Sequence, residues 1–436
     1  MTMSDGDVLL RAEGLKKYYP TEDGFLDKLF GESGWVKALD GVDLEVREGE
    51  TLGIVGESGC GKSTLGRTLL QLEEPTDGEV YYREENLVDA TDDRVQETRT
   101  DLQIIFQNPF ASLNPRFTVA DIIGEPLDIH GIASGRQRDE RISELLEEVG
   151  LSRSHANRYP HEFSGGQLQR IGIARALAVD PDLIVCDEPV SALDVSVQAQ
   201  ILNLLKSLQN EYGLSYVFIA HDLSVVEHIS DRIGVMYLGE LVETGTTEEI
   251  FADPHHPYTE ALLSAIPEPD PQWMSDRVIL EGTVPSPIDP PSGCKFHTRC
   301  PRVLQPADYA FEQSNWRAIM TLRTRLEAED ASIRNVLSSH EASDEEIDPG
   351  TIPSELRASY DLPAQLADPE ADRVLRSAID HLVDEEIDRA ADVLADAFAT
   401  PCESEPPELL ADGHHPIACH LYDEAYEDRI DAERAW

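Results

Sequence analysis

The sequence predicts an α/β protein built on a mainly parallel sheet with flanking helices, and three segments carry this prediction. The apolar run 51–55 leads through a glycine-rich loop into segment 62–70, which has leucines at helical spacing. Two further apolar runs, 183–186 and 216–220, have the character of strands buried on both faces of a parallel sheet. Polar or charged residues follow all three runs, as expected where parallel strands deliver side chains to one ligand-binding edge.

The loop after the first run has the composition of a phosphate-binding loop. It comprises Gly56, Glu57, Ser58, Gly59, Cys60, Gly61, Lys62, Ser63 and Thr64. Its glycines let backbone N–H groups turn inward around phosphate oxygens, and the N-terminus of the next helix adds partial positive charge. We therefore expect Lys62 to reach the β- and γ-phosphates of a bound nucleotide. Ser63 should place its hydroxyl on Mg²⁺, with Thr64 as a neighbouring donor.

Two adjacent carboxylates, Asp187 and Glu188, follow the run 183–186. At the carboxyl edge of a sheet, one carboxylate can bind a metal ion while the next polarises an attacking water molecule. We expect Asp187 to bind Mg²⁺ and Glu188 to act as the general base. An apolar strand that ends in this pair is common on its own, and the glycine loop upstream makes the prediction specific.

Further motifs follow one another in a characteristic order. The run 216–220 ends at His221, the sequence Ser-Gly-Gly-Gln begins at Ser164, and Gln107 follows Phe106. The whole series resembles the ATP-binding-cassette (ABC) family of P-loop NTPases. The matching motifs are Walker A at 56–64, the Q-loop at Gln107, the signature at 164–167, Walker B at 183–188, the D-loop at 191–194 and the switch at His221. This resemblance implies an antiparallel β subdomain and a helical signature subdomain beside the main sheet.

The resemblance also implies a head-to-tail dimer, in which Walker A of one chain and the signature of the other clamp one ATP. Gln107 would contact Mg²⁺ and water, and His221 would contact the γ-phosphate. Tyr19 would stack on adenine, with Tyr18 as the competing choice. Nucleotide contacts are implied for the signature and one D-loop residue, namely Ser164, Gly165, Gly166, Gln167 and Asp194. Because Glu188 is present, we expect an active half-site.

Several segments narrow the resemblance to the ATPases of dipeptide and oligopeptide importers. They are 106–115, 159–163, 191–198, 257–263 and 285–294. The partners implied are a second ABC ATPase, identical or different, two transmembrane permeases and an extracellular substrate-binding protein. Peptide is the expected cargo, although nickel and some sugar importers share these motifs.

The single set of motifs indicates one cassette followed by an appended region. We expect an ATP-binding domain over 7–265, with a helical arm at about 108–170, and a C-terminal region over 266–436. The importer resemblance extends over about 1–301 and resumes at about 402–421. The gap between these two parts is an insertion.

The chain is strongly acidic, since 85 Asp and Glu residues against 35 Lys and Arg give a formal net charge of −50. Such a surface repels nucleic-acid phosphates, which disfavours nucleic acid as a partner. The excess is spread along the whole chain, as in proteins of a high-salt cytosol; an ordinary acidic protein is the alternative. No run approaches the roughly 18–20 apolar residues that span a bilayer, and no signal pattern opens the chain. We expect a peripheral protein on the cytoplasmic face of the membrane.

Six cysteines divide into two groups. Cys186 lies in an apolar run and Cys60 at a variable loop position, so both are expected to be structural. The C-terminal group is Cys294, Cys300, Cys402 and Cys419. In some members of the peptide-importer family a comparable set holds a [4Fe–4S] cluster, while zinc or no metal are the alternatives. Histidines available to replace a cysteine at zinc are His297, His414, His415 and His420.

The insertion at about 303–400 decides whether the four thiolates can converge. Segment 368–397 is acidic and has apolar residues at three- and four-residue spacings, so we expect a helical subdomain whose ends lie close together. Segment 338–353 is expected to be a linker. The pair His255 and His256 is interpreted as an exposed turn before a helix, with no ligand role.

Two other functions compete with the importer. A nucleic-acid-processing ABC ATPase would carry a long coiled coil or a zinc insertion between Walker A and the signature. Here only about 100 residues separate Lys62 from Ser164, without sustained heptads. A regulatory subunit that binds ATP but barely hydrolyses it is opposed by the intact Glu188, His221 and signature.

Overall fold

The computed structural model describes most of the chain. The described residues are 7–21, 34–266, 278–280, 282–309, 311–327, 352–384, 386–409 and 415–429. His414 and most of the linker expected at 338–353 lie outside them. Within this part of the chain, no helix combines the length and the apolar character needed to cross a membrane.

The strands of the described residues form two sheets. They are β1 Val8–Pro20, β2 Trp35–Arg47, β3 Thr51–Val55, β4 Asp77–Tyr82, β5 Glu85–Asn86, β6 Leu102–Ile105, β7 Leu183–Asp187, β8 Ser215–Ile219, β9 Arg232–Tyr237 and β10 Glu240–Thr246. An antiparallel sheet has the order β2-β1-β4-β5, and a larger sheet has the order β10-β9-β3-β8-β7-β6. In the larger sheet, neighbours from β9 to β6 run parallel and β10 pairs antiparallel with β9. The predicted fold class is confirmed.

The central strands carry uninterrupted apolar runs because both faces of the sheet are covered. Every residue of β3, β7 and β8 is buried. Val185 and Ile219 point to one face, where they share a core with Leu65 and the antiparallel sheet. Ile184 and Phe218 point to the other face and share a core with the helical arm. Successive residues thus alternate between two apolar environments.

The flanking helices lie in the order expected for an α/β chain. They are α1 Lys62–Leu69, α2 Asp92–Thr98, α3 Pro109–Ser112, α4 Val119–Ile129, α5 Arg136–Glu148, α6 Gly165–Leu177, α7 Val195–Tyr212, α8 Leu223–Ile229, α9 Thr247–Ala252, α10 Pro257–Ser264, α11 Gln313–Glu327, α12 Ile352–Ser359, α13 Pro369–Val383, α14 Ile387–Ala397 and α15 Pro401–Ser404. Short 3₁₀ helices occur at Arg153–Asn157, Pro160–Glu162, His420–Tyr422 and Glu424–Arg429.

Helices α3 to α6 form the arm expected at about 108–170. Thr118 and Asp121 make a reciprocal capping box that fixes the start of α4. Ile123 of α4, Leu145 of α5 and Ile171 of α6 are fully buried where these helices pack together. Helix α6 ends at Leu177, so the boundary expected for the arm at about 170 lies inside this helix.

The described part of the insertion contains helices α11 to α14, and its two ends lie side by side. Leu375, Ile379 and Leu382 of α13 are buried and pack with α14 in the large core cluster. The Thr400 hydroxyl donates to the carbonyl oxygen of Leu304 at 2.7 Å. The chain therefore returns to its starting point after almost one hundred residues.

Candidate active site

Three polar loops meet at one edge of the larger sheet because their strands are neighbours. Strand β8 lies between β3 and β7, with Val217 beside both Leu52 and Val185. The phosphate loop follows β3, Glu188 follows β7 and His221 follows β8. Parallel strands end at the same edge, so the fold brings these three loops together.

Two glycines allow the phosphate loop to pack against neighbouring strands. Gly56 has a φ of 154° and Gly61 a φ of 105°. A Cβ at Gly56 would lie 2.2 Å from the carbonyl oxygen of Met236, and one at Gly61 would lie 2.1 Å from that of Ala38. Any larger residue would push the loop away from these strands.

Lys62 lies within the phosphate loop. Its residue surface is 5% exposed, and its ammonium group donates to the carbonyl oxygens of Gly56 at 2.8 Å and Glu57 at 2.9 Å. An ammonium group has three donors and no acceptor, so phosphate oxygens can replace these carbonyls. The structure therefore holds the lysine in the loop that the sequence assigned to phosphate.

Ser63 and Asp187 place two oxygen ligands side by side. The Ser63 hydroxyl donates to Asp187 Oδ1 at 2.8 Å. Burial raises the pKa of Asp187 above its ordinary value, against the lowering effect of the Ser63 hydrogen bond. A buried carboxylate of this kind gains from a cation beside it, and hydroxyl and carboxylate oxygens suit Mg²⁺. The residues present fit this ion.

Two other predicted catalytic residues, Gln107 and His221, lie close to the carboxylate of Glu188. Gln107 donates from Nε2 to Glu188 Oε2 at 2.7 Å, and His221 Nδ1 lies 3.6 Å from the same oxygen. Glu188 has a φ of 46°, which is uncommon for a residue with a Cβ. Its amide donates to the carbonyl oxygen of Ile219 at 3.1 Å, and this bond ties the bend to the neighbouring strand.

The signature stands apart from the phosphate loop of its own chain. Ser164 is exposed and caps α6, and its amide donates to the Gln167 side chain at 3.1 Å. A Cβ at Gly166 would lie 2.5 Å from Val197, so this turn packs beside the D-loop helix α7. Among the described residues, no hydrogen bond or ion pair joins 164–167 to 56–64.

Tyr19 and Tyr18 have different surroundings. The Tyr19 hydroxyl donates to Glu73. Burial and Glu73 raise the pKa of Tyr19, whereas a hydrogen bond with the Thr64 side chain lowers it. The Tyr18 hydroxyl instead donates to Asp40. Tyr19 therefore lies near Thr64 of the phosphate loop, and its stacking on adenine stays a prediction.

The remaining predicted residues have clear local roles. Asp194 is exposed and caps α7, since its Oδ1 accepts from the Val197 amide at 3.0 Å. Cys186 is fully buried in β7, and Cys60 is buried with its sulfur 3.7 Å from Lys62 Nζ. Both cysteines lie where the sequence expected structural thiols.

Comparison with known proteins decides the family. Residues 39–191 match the family model described as ABC transporter, and residues 242–306 match that of the oligopeptide/dipeptide transporter, C-terminal region. The dipeptide transport ATP-binding protein DppF of Haemophilus influenzae is 56% identical over 298 residues, which cover 68% of this chain and 90% of that protein. The oligopeptide transport ATP-binding protein AppF of Bacillus subtilis is 51% identical over 304 residues, which cover 69% and 92%. The chain belongs to this ABC ATPase family.

Members of the family are ATP hydrolases, with ATP and Mg²⁺ as their nucleotide and ion. A solved dimeric structure of an ATP-binding cassette in a post-hydrolysis state, bound to ADP and Pi, is 34% identical, covering 55% of this chain and 99% of that chain, with a TM-score of 0.49. Residues 313–415 match a domain of unknown function. This ABC ATPase therefore carries an additional domain within its C-terminal region.

The four C-terminal cysteines of the ABC ATPase lie in the same part of the fold, near the start and end of that domain. The Cys294 amide donates to the carbonyl oxygen of Cys402 at 2.9 Å. Burial raises the pKa of the Cys300 thiol well above its ordinary range, and the neighbouring thiols of Cys419, Cys294 and Cys402 raise it further. The four thiols are therefore close enough to influence one another electrostatically.

Two of the histidines considered as zinc ligands contact backbone carbonyls. His297 Nδ1 lies 2.8 Å from the carbonyl oxygen of Cys294, and His420 Nε2 lies 2.8 Å from that of Glu405. These contacts orient both rings beside the cysteine site.

A buried polar cluster joins the C-terminal region to β10. Glu243, His255 and His415 place three ligand atoms within 4.8 Å of one another. Glu243 accepts from His415 Nε2 at 2.7 Å and from the amides of His255 at 2.7 Å and His256 at 3.1 Å. These bonds already satisfy the carboxylate, so we assign an ion pair here. His256 is 1% exposed and caps α10, and its ring packs beside Phe296. The expected exposed turn was wrong for His256, and His255 is half-buried.

Sequence reasoning also missed two residues that contact the phosphate loop. Arg299 and Tyr258 both bond to Glu57. Tyr258 lies in the importer-type segment 257–263, but neither residue belongs to a recognised nucleotide motif.

Proposed function

We propose that the chain binds and hydrolyses ATP as one half of a cassette pair, and that this hydrolysis energises the import of dipeptides or oligopeptides. The observation that carries the proposal is the convergence of Gln107 and His221 on Glu188, at the edge where the phosphate loop opens. The peptide cargo is supported by relatives named for dipeptide and oligopeptide transport, of whose length this chain covers 90% and 92%.

The phosphate end of ATP is assigned to the phosphate loop and its neighbours. Lys62 exchanges its loop carbonyls for oxygens of the β- and γ-phosphates. Ser63 and Asp187 hold Mg²⁺, with Gln107 reaching the same ion, and bound Mg²⁺ neutralises charge on the phosphate oxygens. The hydrogen bond between Ser63 and Asp187 supports this assignment because it puts both ligand oxygens at one point.

The hydrolytic step is assigned to Glu188. Its carboxylate accepts a proton from a water molecule as the water oxygen bonds to the γ-phosphorus. The bond from that phosphorus to the bridging oxygen then breaks, and ADP departs with this oxygen. A cavity of about 30 Å³ lies beside Glu188 and His221, which is room for about one water molecule. His221 lies at the rim of this cavity, where it can contact the γ-phosphate.

A second cassette completes the site. Exposed Ser164 and the amides of Gly165 and Gly166 form a helix N-terminus that can meet the phosphate of a partner's nucleotide. Asp194 is exposed nearby on the D-loop. ABC ATPases act as dimers, and an identical copy or a different chain can supply the opposite half.

The remaining partners are two transmembrane permeases and an extracellular substrate-binding protein, with this chain on the cytoplasmic face of the membrane. Exposed aromatic side chains on the helical arm support a permease contact, since Phe110 is 62% and Phe117 is 37% exposed. Both follow Gln107, which touches the catalytic site. Closure of the cassette pair would therefore move the surface that meets the membrane subunits.

We assign the cysteine site to a [4Fe–4S] cluster, with zinc or no metal as the alternatives. Four thiolates around zinc, at about 2.3 Å from the ion, lie about 4 Å apart. Among the described residues, the four cysteines supply no three sulfurs within 4.8 Å of one another. Four Cys thiolates are the usual ligand set of a [4Fe–4S] cluster. When bound, such a cluster supplies electron-transfer capacity or a structural crosslink.

Metal analysis tests the cofactor. Anaerobically purified protein should contain about four iron atoms per chain with acid-labile sulfide and visible absorbance. Cys402→Ser should lose iron, whereas Cys186→Ala should keep it because that thiol lies in β7. Stoichiometric zinc without iron, or no metal, would contradict the assignment.

Replacement of the assigned general base tests the proposed hydrolysis. Glu188→Gln should lower kcat by about 10²- to 10⁴-fold, since the amide cannot accept the proton. ATP binding should persist and trap a dimer, visible by size-exclusion chromatography with ATP. Glu227→Gln, an exposed substitution on α8, is the matched control and should retain turnover. Unchanged phosphate release by Glu188→Gln would refute the assignment.

A further inference from the structure

Glu57 is the acidic residue of the phosphate loop. Arg299 and Tyr258, which lie much later in the chain, bond to its two carboxylate oxygens and its amide. Its carboxylate accepts two hydrogen bonds from the Arg299 guanidinium, at 2.6 and 3.0 Å. Its amide donates to the Tyr258 hydroxyl at 2.8 Å. Its carbonyl oxygen accepts from Lys62 at 2.9 Å. Glu57 therefore contacts both Lys62 and Arg299.

Arg299 is fixed by its surroundings. Its side chain is 7% exposed, against 27% for that of Glu57. The neighbouring Phe296 packs on Tyr258, with ring centroids 5.3 Å apart. Lys295, at the other end of the same turn, donates to Asp40 at 2.7 Å. A buried, paired guanidinium in a rigid turn keeps its geometry better than an exposed ion pair does.

The ion pair changes the charge that a nucleotide meets. A free carboxylate in the phosphate loop would repel the β- and γ-phosphates, because like charges a few ångströms apart interact strongly near a protein surface. The two bonds from Arg299 neutralise Glu57 and hold its oxygens in one direction. The contact with Lys62 means that movement of Glu57 would also move an acceptor of the phosphate-binding lysine.

We propose that Arg299 is a positioning residue for ATP, which neutralises and orients Glu57 so that the phosphate loop accepts the β- and γ-phosphates. The inference rests on the proposed nucleotide site. It assigns to the C-terminal region a part in nucleotide affinity, although Arg299 itself acts on the loop rather than on the ligand.

A double-mutant cycle tests the inference on the full chain. Isothermal titration with ADP and a non-hydrolysable ATP analogue is made for wild type, Arg299→Gln, Glu57→Gln and the double variant. Arg299→Gln alone should weaken binding of the triphosphate about tenfold or more, because it frees the Glu57 charge. In the Glu57→Gln background the same substitution should change affinity less than about twofold. Steady-state kinetics should show a raised KM for ATP with a smaller change in kcat.

Arg302→Gln is the matched control, since Arg302 follows on the same segment but pairs with Glu260 instead of the loop. It should keep wild-type affinity. Thermal unfolding distinguishes a general loss of stability from a specific loss of nucleotide affinity. A general loss of stability would be the same with Glu57 and with Glu57→Gln. The inference would be overturned if Arg299→Gln weakened ATP binding equally with Glu57 and with Glu57→Gln, or in neither case. The proposed nucleotide site would still stand in that event, provided that wild type binds ATP. Failure of wild type to bind ATP would overturn the proposed function as well.

Discussion

Glu188 combines an uncommon backbone conformation with a side chain that two other loops contact. A φ of 46° costs roughly 1–3 kcal/mol for a residue with a Cβ, and the bond to Ile219 sustains it. The bend directs the carboxylate toward Gln107 and His221. Strain maintained at this position is consistent with a functional role for its side chain.

A second residue-scale feature is the buried ion pair of His415 with Glu243. Burial lowers the pKa of His415, but Glu243, with Glu249 and Asp253, raises it above its ordinary value. Burial raises the pKa of Glu243, but hydrogen bonds from His415 and backbone amides lower it below its ordinary value. The adjacent His256 stays neutral, because burial lowers its pKa to about 4.

These shifts predict a pH dependence with a defined sign. The protonated His415 stabilises the folded chain fully below its unfolded pKa of about 6.5, and this contribution is lost as pH rises through the raised folded value. The Glu243 contribution is present above about pH 4.5 and is lost as pH falls through its lowered value. Urea unfolding at pH 6 and pH 9 should therefore show a larger decline in the free energy of unfolding for wild type than for His415→Gln. Equal declines would contradict the ion pair.

At the scale of elements, the sequence was informative wherever a pattern is local. The strand and loop of Walker A and the helical face of α13 follow from residue type and spacing, because burial on one or two faces imposes those periods. Contacts between distant segments were not predictable in the same way. Arg299 and Glu57 are separated by 242 positions, and the buried His256 packs beside Phe296 of the C-terminal region.

The insertion supplies a prediction at this scale. Leu382→Ala removes a fully buried side chain of α13 and should cost about 2–5 kcal/mol in the stability of the helical domain. Val383→Ala, one position along and half-buried, is the matched control with a smaller cost. Hydrogen exchange should become faster in α13 and α14, while exchange in the phosphate loop stays as in wild type. An equal increase in hydrogen exchange in α13, α14 and the phosphate loop would show that the insertion does not unfold as a separate cooperative unit.

At the scale of the whole molecule, the cassette and the C-terminal region are joined through the loop that is assigned to ATP. Arg299 reaches Glu57, Lys295 reaches Asp40, and residues 416–418 bond to β10. The net charge of −50 covers this assembly with acidic residues, which opposes association with nucleic acid. A hydrated surface adapted to high salt stays a prediction from that charge.

ATP turnover by the assembled complex tests the central claim most directly. The wild-type chain is purified with its membrane partners, reconstituted in lipid, and assayed for phosphate release with peptide-loaded binding protein or with duplex DNA. Peptide-loaded binding protein should raise turnover several-fold over the unloaded protein, DNA should have no effect, and Glu188→Gln should abolish the response. Stimulation by DNA and none by peptide would mean that the cassette is right and its proposed function is wrong.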